Sequence, residues 1–189
     1  MTTGSDGAVW FTVANESSIG RITTAGSLSK YATHGQAFGI ASGADGNLWF
    51  AELDDNRIGR VALDGTLTEF KVPTEVGGPY LLAAGPDGAM WFTEHYVNKI
   101  GRITTAGVIT EFPIPTPGCA AAGITAGPDG ALWFAESSVG KIGRITTEGI
   151  VTEYAIPTTV NSWPLLITAG ADGNLWFAED DGKVGRLTP

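Results

Sequence analysis

An all-β fold, a β-propeller of four-stranded antiparallel blades, is what this chain predicts, on three observations. A Trp-Phe pair recurs five times, at Trp10-Phe11, Trp49-Phe50, Trp91-Phe92, Trp133-Phe134 and Trp176-Phe177. The tryptophans stand 39, 42, 42 and 43 residues apart, a period that means stacked units, none of which buries its apolar faces alone. A Gly-x-Asp-Gly turn precedes each pair, and an Ile/Val-Gly-Arg triplet follows it, ending at Arg21, Arg60, Arg102, Arg144 or Arg186.

The third copy shows the elements in order. Four short strands, A to D, are expected at Tyr80 to Ala84, Ala89 to Glu94, Lys99 to Thr104 and Val108 to Phe112. Gly85-Pro86-Asp87-Gly88 links A to B, with proline presetting one turn position and glycine supplying positive φ. Thr105-Ala106-Gly107 links C to D as tightly. Strand B is apolar at consecutive positions, as in Leu132-Trp133-Phe134, so both of its faces need cover. Sheets packed between neighbouring sheets provide it, and radial packing also protects strand edges. A β-solenoid is the competing reading, and its shorter rungs fit this period poorly.

The repeat runs through the whole chain, with copies at about 1–34, 35–76, 77–118, 119–161 and 162–189. The first has only Met1 to Gly4 for its strand A, and the last stops before a strand D. Three arrangements suit such ends: a five-bladed ring, an arc completed by a second copy, or a stretch of a longer propeller. An open outer edge on the last blade would favour self-association.

Hydrophobic content of 43% and a net charge of −9 describe a folding, acidic chain without a basic patch for nucleic acid. Apolar runs are too short and glycine-broken for a membrane helix, and no leader pattern opens the sequence. The expected location is the cytoplasm. Cys119 is the single cysteine, which leaves no internal disulfide. Nine of the eleven cations and twelve of the twenty acids fall in repeat columns. Charges that recur in every copy are expected to form structural pairs.

Meander topology puts the A–B and C–D turns on one face and the B–C and D–A loops on the other. The variation between copies lies on the second face. From the strand D aromatic to the next turn glycine the chain runs 12, 15, 15 and 16 residues (Tyr31 to Gly43, Phe70 to Gly85, Phe112 to Gly127, Tyr154 to Gly170). Variable loops on a rigid scaffold are where binding residues belong. Off-column residues gather there: His34, Phe38, Tyr80 and Trp163 in or beside D–A loops, and His95-Tyr96 in a B–C loop. His34 and His95 are the candidate general bases. Phe38, Tyr80, Tyr96 and Trp163 are the ligand-binding candidates, with channel-mouth packing as the competing reading. Glu16, Asp54, Asp55, Asp180 and Asp181 make the same rim acidic. Such a rim suits a partly apolar small molecule with a hard divalent cation.

Gly-Pro-Asp-Gly-Ala-Leu-Trp-Phe, then Asn-Lys-Ile-Gly-Arg-Ile-Thr-Thr-Ala-Gly, then Thr-Glu-Phe-Pro-Ile-Pro, read across copies three and four, closely resemble the virginiamycin B lyase, or streptogramin lyase, family. The resemblance covers essentially the whole chain. It implies a seven-bladed propeller, for which seven copies at this period need about 294 residues. It also implies Mg²⁺-dependent linearisation of cyclic depsipeptide antibiotics of the streptogramin B type by elimination, a route to antibiotic resistance. In the family the histidines sit in Pro-His-x-Ile at the start of strand A, with a carboxylate in a nearby B–C loop. The matching strand A positions here are Phe38, Tyr80, Ala122 and Leu165, none of them histidine. Asp180 is the nearest match to the loop carboxylate and so the metal candidate. Two functional readings stand: a lyase whose base lies outside these residues, or a non-catalytic binding or scaffold propeller.

Overall fold

The computed structural model describes residues 1–13, 15–157 and 162–189, and each repeat forms one antiparallel meander sheet. The first sheet holds β1 (Thr2–Thr3), β2 (Val9–Val13), β3 (Ser18–Ile22) and β4 (Leu28–Ala32). The second holds β5 (Ala37–Ser42), β6 (Leu48–Glu52), β7 (Arg57–Val61) and β8 (Leu67–Lys71). The third holds β9 (Pro79–Ala84), β10 (Met90–Glu94), β11 (Lys99–Ile103) and β12 (Ile109–Pro113), each within about one residue of expectation. The fourth holds β13 (Ala121–Ala126), β14 (Leu132–Glu136), β15 (Lys141–Ile145) and β16 (Val151–Ala155). The fifth has three strands, β17 (Pro164–Ala169), β18 (Leu175–Glu179) and β19 (Val184–Leu187). First strands of neighbouring sheets lie side by side, so they form the inner wall and the fourth strands the rim.

Each motif has a packing reason. In the third sheet Phe92 pairs with Gly101 and Trp91 with Arg102. Glycine is required opposite the phenylalanine, because a Cβ at Gly101 would stand 2.0 Å from Phe92 Cζ. The Arg102 guanidinium lies 5.8 Å from the Trp91 ring centre, and its Nε donates to Asp87 Oδ2 at 2.6 Å. Asp87 Oδ1 accepts from Trp91 Nε1 at 3.0 Å and from the Ala89 N–H at 3.3 Å. Burial works against the Asp87 charge, but these donors outweigh it and hold the carboxyl below its ordinary value. Trp91 also stacks on Phe112 at 5.5 Å. Turn, pair, triplet and strand D aromatic therefore make one interlocked unit.

The core is divided into layers between sheets. Trp49, Ala51 and Ile58 of the second sheet pack with Leu82, Met90, Phe92 and Ile103 of the third, and the other junctions repeat this pattern. The tryptophan thus faces the following sheet and the phenylalanine the preceding one. Exposure follows from that rule. Trp91 and Ile100 are fully buried, whereas their fifth-sheet counterparts Trp176 and Val184 are 38% and 67% exposed. Val9 and Ile22 are likewise exposed on the opposite face of the first sheet.

Candidate functional site

The B–C and D–A loops share one end of the sheets, and their anchoring builds the site. Glu111 on the outer strand β12 accepts from the Thr74 N–H at 2.8 Å and from Thr74 Oγ1 at 2.6 Å. Lys99 Nζ donates to the same carboxylate at 2.8 Å. Glu69 accepts from the His34 N–H at 3.1 Å and Glu153 from the Thr116 N–H at 3.2 Å. Each outer-strand glutamate thereby latches the D–A loop that precedes its own sheet.

The strand B glutamates depart from the expected structural pairing. Glu94 and Glu136 are buried, with no hydrogen-bond partner on any carboxyl oxygen. Burial, reinforced by Glu111 and Glu153 respectively, pushes both up to about 8. Lys99 and Lys141, the nearby cations, are paired with the outer-strand glutamates Glu111 and Glu153. Sequence reasoning counted the column correctly and missed its chemistry.

Four rings come together across the second and third sheets. Phe38, the second residue of β5, lies 5.7 Å from Tyr80, the second residue of β9. Tyr80 lies 5.3 Å from His95, and His95 is 5.7 Å from Tyr96, edge-on. The Thr12 hydroxyl donates to the Phe38 carbonyl at 3.0 Å, and that of Thr93 to the Ala122 carbonyl at 2.9 Å. These bonds fasten each inner strand to the sheet before it. His95 is placed by its N–H on Gly78 O at 2.8 Å and by Nδ1, 3.0 Å from Ala121 O. A carbonyl only accepts, so Nδ1 is the donor in this contact. The ring therefore reaches the inner strand of the fourth sheet, beside Ala122.

The remaining candidates lie apart from this ladder. His34 is exposed, with its backbone held by Glu69. Trp163 is exposed at the start of the fifth sheet, and its N–H donates to Asp180 Oδ1 at 2.9 Å. The Asp180 N–H donates back to Trp163 O at 3.1 Å. Among the described residues no three His, Cys, Asp or Glu side chains gather into a metal cage. One Asp180 oxygen accepts the Trp163 N–H, and no cage among the described residues gathers around it. Cys119 is buried, and burial pushes its thiol up to about 11, which leaves it unreactive.

Over residues 1–189 the chain matches the family described as Virginiamycin B lyase family. It is similar to a crystallised, catalytically inactive virginiamycin B lyase from Staphylococcus aureus with quinupristin. Identity is 43% and the TM-score 0.90, over 98% of this chain and 67% of that one. A streptogramin B lyase structure matches at 39% identity and TM-score 0.90, over 99% of this chain and 67% of that one. A gluconolactonase from Xanthomonas campestris, at 15% identity and TM-score 0.74 over 100% of this chain and 74% of that one, shares the fold alone. Among curated proteins none matches.

Proposed function

The chain belongs to the virginiamycin B lyase family, and from that premise we propose that its loop face binds a cyclic depsipeptide of the streptogramin B type without opening it. The carrying observation is the ladder of Phe38, Tyr80, His95 and Tyr96. Two of its rings occupy the strand A positions where the family's Pro-His-x-Ile histidines would stand. Aromatic walls hold apolar rings at low entropic cost. Elimination also needs a base within reach of an α-proton and a stabilised enolate-like charge. The described residues offer no metal cage to supply the second.

Titrating the chain with quinupristin and following tryptophan fluorescence tests the binding. Saturable binding is expected, weakened about tenfold by Tyr80→Ala and unchanged by His34→Ala. Mass spectrometry of the same mixtures with Mg²⁺ should return only the cyclic mass. Linear product that depends on Mg²⁺ would refute the non-catalytic reading.

One observation favours a second reading. His95 has Nδ1 occupied by the Ala121 carbonyl, which leaves Nε2 as the ring nitrogen for a general base. In that case Nε2 takes the α-proton, the Cβ–O ester bond breaks and the carboxylate leaves as the double bond forms. Any linear product should then vanish in His95→Ala and persist in His34→Ala.

A further inference from the structure

On the loop face between the second and third sheets lies a cleft of about 370 Å³ that shares only Tyr96 with the ring ladder. Leu53, Asp54, Lys71, Glu75, Val76 and Tyr96 surround it. Its framework is rigid. The nearly buried Asn56, in the left-handed region at φ 55°, donates through Nδ2 to Val72 O at 3.3 Å and Thr74 O at 2.8 Å. Its Oδ1 accepts from the Gly78 N–H at 3.2 Å. One side chain thus fixes the whole of the D–A loop that forms the cleft's wall.

Two apolar groups are held out to solvent on that framework. The Tyr96 N–H donates to Gly77 O at 3.2 Å, and the ring lies over Gly78, where a Cβ would stand 2.4 Å from Cδ2. Fixed in this way, Tyr96 is still 53% exposed. Val76 is 70% exposed with a φ of 57°, a conformation that strains a β-branched residue. The next D–A loop uses Gly118 at the corresponding place. Strain that presents an isopropyl group to water gains nothing for the isolated fold.

The charges point the same way. No ion pair among the described residues involves Asp54, Glu75 or Lys71. Two carboxylates against one ammonium leave the cleft net negative around an apolar wall. We propose that it binds an organic ammonium with an apolar body, the body against Tyr96, Val76 and Leu53 and the charge toward Asp54 and Glu75. A tyrosine face adds cation–π attraction to the ion pairing. Tyr96 also ends the ring ladder, so a ligand carrying such a group could occupy both places. The site nevertheless stands whether or not the chain binds or opens a depsipeptide.

Amide NMR of the full chain tests this with three probes: 2-phenylethylammonium, 3-phenylpropionate and ethylammonium. The first should shift the amides of Asn56, Val76, Gly78 and Tyr96 saturably, and added salt should weaken it. The other two should leave those amides in place. Asp54→Asn with Glu75→Gln should weaken the first probe about fivefold. Tyr96→Ala should abolish its binding, and Tyr96→Phe, which keeps the ring and guards against misfolding, should retain it. Absence of shifts, equal shifts with the anion, or binding that survives Tyr96→Ala would overturn the proposal. Quinupristin takes no part, so failure here is separable from failure of the depsipeptide reading.

Discussion

Glu94 and Glu136 end strand B at the point where the loop face begins, and their burial without a partner gives the fold a definite pH response. Folded, each carboxyl keeps its proton up to about 8, against an ordinary value of 4.5. Between those values the folded state binds more protons than the unfolded one, so stability falls as pH rises, then levels off above the window. The turn aspartates run the other way, since their lowered values make a contribution that is lost only as pH falls. Thermal unfolding followed from about pH 5 to 8 should show a declining midpoint in the wild type. Glu94→Gln with Glu136→Gln should remove most of that slope, and an unchanged slope would show that these carboxyls ionise while buried. The sequence column revealed that these glutamates recur. Their protonation depends on depth and on which neighbour claims Lys99, and neither is local information. His95 is similar: its loop was legible, but its contact with Ala121 crosses between sheets.

The strand and its motif were the most legible scale, because the period, the turn glycines and the two-sided apolar strand all favour the same element. The Ile-Gly-Arg triplet acquires its reason only in register, where Gly101 lies under Phe92 and Arg102 over Trp91. Gly101→Ala should cost roughly 1–3 kcal/mol, because the ring has no free space to enter. Trp91→Ala should cost about 3–5 kcal/mol. Trp176→Ala, at the same motif position, should cost about 1 kcal/mol, because no following sheet covers its ring. Urea unfolding of the three variants checks this order. Equal losses for Trp91 and Trp176 would mean that the fifth sheet is covered in solution.

At the largest scale the described residues form a run of five sheets with four filled junctions and two unfilled faces of opposite kind. The fifth sheet presents Leu166, Trp176 and Val184, and the first presents Val9 and Ile22. The chain spans 67% of the length of the lyase structures it matches. Exposed apolar sheet faces of this kind associate. Light scattering should therefore show association that grows with concentration and is relieved by Trp176→Lys with Val184→Lys. A strictly monomeric chain at all concentrations would show that these faces tolerate water. At this scale the sequence disclosed the incomplete copies, while the face-by-face asymmetry appeared only once the tryptophan and phenylalanine sides were known. Function belongs to the opposite scale, to a few rings on one face of a repetitive scaffold. Amide shift mapping with quinupristin tests that placement most directly. Shifts centred on Phe38, Gly78, Tyr80, His95 and Tyr96 are the expected result, and shifts confined to the Gly-x-Asp-Gly turns of the other face, or none at all, would contradict it.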